Sequence, residues 1–285
     1  MTNRKGVLYV VATPIGNLQD ISVRAIATLK SVARIAAEDT RHSGKLLSHF
    51  GIDTPLVALH EHNEREITPA LLGMLAAGDD LALICDAGTP LISDPGFCLV
   101  RAAREAGIRR VPVPGPVACM AALSVAGLPA DHFVFEGFLP ARAAARRRRL
   151  EELADEHRTL VFHESSHRIA ECLGDMAEIF GGDRPAVIAR ELTKVFETIE
   201  DGGLAELLAS LHADANRQKG EFVVLVQGRP PPAVENELDG AGRQVLTVLM
   251  AELPLKQAAA LAARITGLSR NALYAEALRM KDAGP

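Results

Sequence analysis

Short apolar stretches alternate with helical stretches through the first 117 residues of this 285-residue chain, and this alternation constrains the fold more than any other feature. The strand candidates are residues 7–12, 34–37, 56–60, 81–85 and 110–113, and helical patterns occupy residues 43–50, 63–77 and 95–106. Strands that alternate with helices form mainly parallel sheets that are covered on both faces. The pattern therefore predicts an N-terminal α/β domain over residues 1–117.

The second half of the chain shows a similar alternation and ends in a helical tail. Strand patterns at residues 133–136, 159–163, 186–190, 196–199 and 222–226, with helices near 142–157, 166–180 and 203–212, predict a second α/β domain over residues 118–229 with more antiparallel character. A proline-rich linker at residues 228–232 precedes helices at 242–252, 255–266 and 270–281. Residues 230–285 thus form a linker and a helical module, which is either helix-turn-helix-like or a plain helical hairpin.

Cysteine spacing and hydropathy limit the class of protein. The chain is 48% hydrophobic, which suffices for a substantial core, and its four cysteines lie far apart without a C-x-x-C pair. Neither a disulfide framework nor a zinc site is indicated, which favours a reducing cytoplasm. Since no apolar run approaches the roughly 20 residues that span a bilayer, we expect a cytoplasmic protein without a membrane partner.

Charge is distributed unevenly along the chain. The net charge is −5, yet residues 241–285 contain six basic and three acidic residues, a local balance of +3. This asymmetry indicates either a basic module that meets nucleic acid or merely solvated helix faces.

The loop at residues 86–96 reads D-A-G-T-P-L-I-S-D-P-G and follows a strand candidate, so it is a candidate ligand loop. Gly88 lets the backbone approach a ligand closely. Asp86 stands at the carboxyl end of a central strand, where α/β sheets bind ligands, although a turn-forming aspartate is the alternative. Asp94, which precedes Pro95, is expected to cap the next helix.

Two other patterns exclude common kinds of site. The loop at residues 13–18 after the first strand lacks G-x-G-x-x-G, so the sequence does not indicate an ordinary dinucleotide site. His163 and His167 match H-E-x-x-H, but His163 ends a strand candidate and Ser165 or Ser166 is expected to cap a helix, so the two imidazoles would not share a helical face. His60 and His62 have no third partner at a metal-like spacing, and no metal is predicted.

Several charged clusters are candidates for contact with a polyanion. Arg142 and residues 146–149, all arginine, suit phosphate contacts, unless they form a solvated helix face paired with the acidic residues at 151, 152, 155 and 156. Residues 38–42 and 190–194 each follow a strand and carry both acidic and basic side chains. Together they suggest two polar edges that face one cleft.

Eight short motifs together resemble the ribosomal RNA 2′-O-ribose methyltransferases of the tetrapyrrole methylase superfamily, over essentially the whole chain. They lie at residues 13–18, 37–41, 86–90, 94–96, 114–116, 136–140, 191–194 and 219–221. The resemblance implies a two-domain tetrapyrrole-methylase-like α/β fold with S-adenosylmethionine in the cleft between the domains, usually in a homodimer. It also implies 2′-O-methylation of a cytidine ribose in small-subunit ribosomal RNA, either free or in the assembled subunit.

The resemblance also assigns site residues. The cofactor contacts it implies are Ile15, Asp86, Thr89, Val117, Ala118, Glu164 and Gly220, and Gly88 is added as a cofactor contact because its backbone can approach a ligand closely. Asp39 and Lys194 are the candidates for removing or polarising the hydroxyl proton, and RNA positioning or an ion pair is the alternative for both. The candidate RNA-binding residues are Arg41, Arg142, Arg146, Arg147, Arg148, Arg149, Arg190, Lys256 and Arg270.

RNA is favoured over a porphyrin by the arginine cluster, by the basic tail and by an aromatic content of 4%. Two alternatives remain open at this point. One is a tetrapyrrole C-methyltransferase of the same fold, and the other is a non-catalytic RNA-binding assembly factor that holds the cofactor without using it.

Overall fold

The computed structural model of the protein describes residues 4–230 and 240–282. The chain divides into two compact units, residues 1–229 and residues 230–285. Residues 231 and 232 of the predicted proline-rich linker lie outside the described residues.

The first sheet has the order β3-β2-β4-β1-β5, and every neighbouring pair is parallel. Its strands are β1 (Val7–Val11), β2 (Arg34–Ala37), β3 (Leu56–Ala58), β4 (Leu81–Ile84) and β5 (Arg109–Val113), and its helices are α1 (Val23–Ser31), α2 (Thr40–His49), α3 (Glu64–Ala77) and α4 (Phe97–Glu105). Helices cover both faces, because the apolar side chains of β4 alternate between two separate core clusters. The predicted parallel α/β sheet is confirmed.

Local capping explains where these helices begin and shows one prediction to be wrong. Ser22 Oγ accepts a hydrogen bond from Ala25 N at 3.0 Å and starts α1. Asp94 does not cap α4, because this helix starts at Phe97 and its N-cap is Gly96. The backbone of Gly96 lies so close to β4 that a Cβ there would be 2.6 Å from Leu83 Cδ2. The chain therefore crosses the strand end before the helix can begin.

The second sheet is mixed, as the sequence predicts, with the order β6-β7-β10-β8-β9. The β6–β7 pair is parallel and the other three pairs are antiparallel. Its strands are β6 (Phe133–Phe138), β7 (Thr159–Ser165), β8 (Pro185–Arg190), β9 (Thr198–Gly203) and β10 (Glu221–Val226), and its helices are α5 (Ala118–Val125), α6 (Ala143–Leu153), α7 (Ile169–Phe180) and α8 (Leu204–Ala213).

Helix α5 joins the two sheets within this unit. Its buried residues Cys119, Ala122 and Leu123 pack against one face of the second sheet, and Ile15 from the loop after β1 belongs to the same apolar cluster. The opposite face of the second sheet packs on α6, α7 and α8, around the fully buried Phe162. Burial of a side chain of that size contributes about 1.5 to 3 kcal/mol.

The C-terminal unit contains α9 (Gly240–Glu252), α10 (Leu255–Thr266) and α11 (Arg270–Asp282), close to the three predicted helices. Helix α10 ends at Gly267, whose φ of 75° is the left-handed conformation that glycine adopts without strain. Buried alanines at 259, 262 and 277 let the helices approach closely around Leu246 and Leu273. No helix in the described parts of the chain is long and apolar enough to cross a membrane.

Candidate active site

Three loops at the carboxyl edge of the first sheet are held together by their backbones. Thr13 N donates to Gly88 O at 2.8 Å, Gly88 N donates to Thr13 O at 3.1 Å, and Thr89 Oγ1 donates to Pro116 O at 3.1 Å. Gly88 has a φ of 85°, and a Cβ there would lie 3.3 Å from Ile15 Cγ2. These bonds connect the loops after β1, β4 and β5, which is the edge where α/β sheets bind ligands.

A cleft of about 420 Å³ lies between this edge and the second sheet. We define its first wall as residues 15, 87–89, 92–94, 117 and 118, and its second wall as residues 138, 163–166, 189, 192 and 220–223. The volume falls in the usual range of small-molecule sites, about 300 to 1,000 Å³. Seven of the eight predicted cofactor residues line the cleft: Ile15, Gly88, Thr89, Val117, Ala118, Glu164 and Gly220.

Backbone strain marks both walls. The non-glycine residues with positive φ in the described chain are Leu91 and Ser93, in the loop of the first wall, and Glu191 and Thr193, beside the second wall. Such conformations cost on the order of 1 to 3 kcal/mol each and persist where the surroundings impose them, frequently at functional sites. The strain is therefore consistent with a binding role for the cleft.

The two carboxylates of the second wall are ion-paired. Glu164, whose side chain is fully buried, accepts hydrogen bonds from Arg168 Nη2 at 3.1 Å and from Ser165 N at 2.8 Å. Glu221 Oε2 lies 3.0 Å from Lys194 Nζ. A cation thus balances each negative charge on this side of the cleft.

Asp94, on the first wall, has no such partner. It is half-buried, and no cationic side chain within the described residues forms an ion pair with it. Burial raises the pKa of Asp94, a hydrogen bond with the Cys85 thiol opposes that shift, and the negative charge of Asp86 adds to it. The pKa of nearby Glu38 is also raised, by burial and by the charges of Asp86 and Asp94.

Asp86 lies beside the cleft but does not line it. Its Oδ1 accepts a hydrogen bond from Asp39 N at 3.1 Å, which joins the end of β4 to the end of β2. The sequence predicted that Asp86 would contact the ligand and that Asp94 would cap a helix. In the structure Asp86 instead binds the backbone of Asp39, and Asp94 lines the cleft. The sequence does not reveal these positions of Asp86 and Asp94, because the left-handed backbone of this loop lies at Leu91 and Ser93 and not at glycine or asparagine, the residues that usually adopt it.

The two candidate proton acceptors are already engaged. Asp39 caps α2, and hydrogen bonds from Arg41 N at 2.8 Å, from the Arg41 side chain and from His42 N lower its pKa. Burial would lower the pKa of Lys194, but its hydrogen bonds to Glu191, at 2.9 Å, and to Glu221 outweigh burial and raise it. Lys194 is therefore a cation at neutral pH, and neither side chain lines the cleft.

The arginines of α6 are mostly structural. Arg146 is buried, with its Nε 2.6 Å from Asp175 Oδ2, so this predicted RNA contact is wrong for the described structure. Arg147 also pairs with Asp175, at 2.9 Å, and Arg149 pairs with Glu136, at 2.8 Å. These partners come from α7 and β6. The intrahelical pairing that the sequence offered as the alternative is present at Glu152, which lies 2.9 Å from Arg149 and 3.4 Å from Arg148.

Other predicted RNA-binding residues are exposed. The side chain of Arg148 is 81% exposed and that of Arg41 is 90% exposed, while Arg142 lies at the start of α6. Lys256 and Arg270 are exposed on the C-terminal unit. Arg190 instead donates to Lys219 O at 2.6 Å and to Asn216 O at 3.1 Å, which ties down the segment before β10.

The H-E-x-x-H match is not a helical zinc motif, as the sequence context indicates. His163 lies in β7 and His167 lies in the turn before α7, which begins at Ile169. The expected capping role of Ser165 or Ser166 is wrong, because Arg168 precedes the helix. His163 stacks edge-on against Phe135 and Phe138, with ring centroids 5.1 and 5.5 Å away, and sequence reasoning did not foresee this aromatic group on the cleft.

Comparison with known families gives two matches. The family model of Tetrapyrrole (Corrin/Porphyrin) Methylases matches residues 7–208. The model of the RsmI C-terminal HTH domain matches residues 236–281, which confirms the helix-turn-helix alternative for the tail.

Individual relatives match over nearly their whole length. The chain is 60% identical over 274 residues to ribosomal RNA small subunit methyltransferase I of Pseudomonas aeruginosa, covering 96% of this chain and 97% of that protein. It is 58% identical over 269 residues to the protein of the same name from Xylella fastidiosa, covering 94% and 98%. The crystal structure of uroporphyrin-III-C-methyltransferase from Thermus thermophilus aligns with a TM-score of 0.54 at 21% identity over 78% of this chain and 94% of that one, which shows a shared fold.

Proposed function

This chain belongs to the family of tetrapyrrole (corrin/porphyrin) methylases, and from that premise we propose that it methylates the 2′-hydroxyl of a cytidine in small-subunit ribosomal RNA with S-adenosylmethionine. The observation that carries the proposal is the 60% identity, over 96% of the chain, to ribosomal RNA small subunit methyltransferase I. The match includes the C-terminal unit, which carries its own family signature.

The residues of the cleft fit S-adenosylmethionine. A volume of about 420 Å³ admits part or all of a ligand of that size. Ile15, Gly88 and Thr89 offer close-packed backbone, and Val117 and Ala118 open α5, whose N-terminus has no side-chain cap. The positive end of a helix suits the carboxylate of the cofactor.

When bound, S-adenosylmethionine supplies an electrophilic methyl group. The protein must then hold the ribose 2′-oxygen in line with that carbon, at about 3 to 3.5 Å, and exclude water. Glu164 and Gly220 would close the pocket from the second wall, and Asp86 would act indirectly, by fixing the loop that precedes α2.

Contacts with RNA follow from exposure and charge. We assign Arg41, Arg142 and Arg148 to the phosphate backbone on the larger unit, and Lys256 and Arg270 on the smaller one, because all five are exposed. For Asp39 and Lys194, whose side chains are engaged in a helix cap and in ion pairs, we propose a role in positioning the RNA-facing loops.

The proposal also covers the partner and the assembly. The substrate is small-subunit ribosomal RNA, either naked or in the assembled particle, and the enzyme is a homodimer in the cytoplasm. Light scattering of the purified protein tests the dimer, since the mass of one chain is 30.4 kDa.

One experiment separates the proposal from its two alternatives. The protein is incubated with methyl-labelled S-adenosylmethionine and, in separate reactions, with small-subunit particles, naked ribosomal RNA or a uroporphyrinogen. Label on a cytidine ribose, resistant to alkaline hydrolysis at that phosphodiester, supports the proposal. Label on a porphyrin carbon favours the tetrapyrrole methyltransferase, and binding of cofactor without any transfer favours the assembly factor.

A further inference from the structure

Methylation of a ribose hydroxyl releases a proton, and a group in the cleft that receives it speeds the reaction. A proton acceptor has to reach the substrate, must be unprotonated at neutral pH and must not be neutralised by a fixed cation. Asp39 and Lys194 fail these conditions, because one carboxylate is occupied by a helix cap and the other side chain is a cation in two ion pairs.

Four titratable side chains line the cleft. Glu164 is held by Arg168 and Ser165 N, and Glu221 is held by Lys194. Burial lowers the pKa of His163, so its imidazole binds a proton less readily than an ordinary one, and its ring makes edge contacts with Phe135 and Phe138. Asp94 is therefore the carboxylate of the cleft that carries no ion pair among the described residues.

Among the described residues, the titratable groups that interact with Asp94 are one thiol and two carboxylates. Cys85 and Asp86 approach it from the end of β4, and Glu38 approaches from the end of β2. The thiol of Cys85 stays protonated because burial raises its pKa far above neutrality. A carboxylate in such surroundings binds a proton more readily than an ordinary aspartate does.

The loop that carries Asp94 is held in one shape. Leu91 and Ser93 adopt left-handed backbone conformations, and Gly96 is pressed against Leu83. Because Ser93 Oγ would lie 3.2 Å from a Cβ at Gly137, the loop also packs on the second sheet. The backbone that carries Asp94 is thus packed against both β4 and the second sheet.

We propose that Asp94 accepts the proton of the ribose 2′-hydroxyl during methyl transfer, an inference that rests on the function proposed above. The 2′-oxygen forms a bond to the methyl carbon as the bond from that carbon to sulfur breaks. The electron pair of the broken bond stays on sulfur, which becomes a neutral thioether, and the hydroxyl proton moves to the Asp94 carboxylate. Solvent removes this proton after the product leaves.

The test compares Asp94→Asn with the control Asp53→Asn. Asp53 is exposed and precedes β3, so it lies at the amino end of that strand, away from the carboxyl edge that forms the cleft. Single-turnover methylation of small-subunit RNA is measured at saturating S-adenosylmethionine, and cofactor affinity is measured by calorimetry. We expect Asp94→Asn to lose about 10² to 10⁴-fold in rate, and to lose no more than about tenfold in affinity, which corresponds to about 1.4 kcal/mol. Asp53→Asn should match the wild type.

The pH profile gives a second measurement. The wild-type rate should rise about tenfold per pH unit below the pKa of Asp94 and then level off, because the carboxylate must be unprotonated. Asp94→Asn should lack this dependence. A wild-type rate of Asp94→Asn at saturating S-adenosylmethionine would overturn the proposal, even if the variant is slower at low cofactor concentration. If the wild type itself transfers no methyl group to RNA while it binds cofactor, the proposed function and this inference both fail.

Discussion

The carboxylates on the two walls of the cleft differ in whether a basic side chain is paired with them. On the second wall Glu164 and Glu221 are each paired with a basic side chain. Asp94 on the first wall has no ion pair among the described residues, and its titratable neighbours there are the thiol of Cys85 and the carboxylates of Asp86 and Glu38. Paired carboxylates stabilise a structure at most modestly, but removing one partner leaves an uncompensated charge. The difference teaches that Glu164, whose side chain is fully buried, is held within the fold by an ion pair, while Asp94 has no ion pair among the described residues, at some cost in stability.

The largest expected effect lies behind the second wall, at Arg146. Arg146→Ala removes a buried guanidinium from Asp175 and Glu171, and we expect a loss of about 3 to 5 kcal/mol in the free energy of unfolding. Chemical denaturation followed by circular dichroism measures it. The matched control is Arg148→Ala on the same helix, which should change stability by less than about 0.5 kcal/mol because that side chain is 81% exposed. Equal losses in the two variants would contradict a structural role for Arg146.

Glu164→Gln should have the next largest effect. The amide can still accept from Ser165 N, but Arg168 loses its carboxylate, so we expect a loss of about 2 to 3 kcal/mol in unfolding free energy, less than for a fully buried pair because Arg168 is partly exposed. The change from carboxylate to amide is the same one made in Asp94→Asn. Unchanged stability would show that the ion pair of the second wall contributes nothing to the fold.

Gly88→Ala tests the close backbone packing of the first wall. A side chain in this left-handed position costs on the order of 1 to 2 kcal/mol, and its Cβ would press on Ile15. We expect S-adenosylmethionine affinity, measured by calorimetry, to fall by about tenfold, which corresponds to about 1.4 kcal/mol. As a control, Gly73→Ala in α3 places a Cβ in open space and should leave affinity unchanged. Wild-type affinity in Gly88→Ala would show that the cofactor does not bind against this loop.

The smallest expected effect is on the stability of Asp94→Asn, and its direction, a gain or a loss, tests whether Asp94 has a stabilising partner. Because the folded protein raises the pKa of Asp94, it binds more protons than the unfolded chain at pH values between the ordinary and the raised pKa. Stability therefore falls as pH rises through that window, and the loss persists at higher pH. We expect Asp94→Asn to melt at a higher temperature than the wild type at pH 7, and the difference to vanish below the ordinary aspartate pKa. A lower melting temperature at pH 7 would reveal a stabilising partner.

The sequence predicted the parallel first sheet, the mixed second sheet and the three C-terminal helices because apolar periodicity and turn residues mark these elements locally. It failed where the answer depends on distant residues. Arg146 and Arg147 are neutralised from α7, and Arg149 pairs with Glu136 of β6 as well as with Glu152 of its own helix. Nothing within the helix indicates the partners on α7 and β6. The position of Asp94 depends on left-handed backbone at Leu91 and Ser93, which glycine-based reasoning does not detect.

A crystal structure of the complex with S-adenosylmethionine tests the central claim most directly. The account predicts cofactor density in the cleft, against Gly88 and Thr89, with the methyl group open toward the Asp94 carboxylate and room between them for a ribose hydroxyl. A cofactor bound outside the cleft, or one whose methyl group faces the ion pair of Glu164 and Arg168, would contradict it.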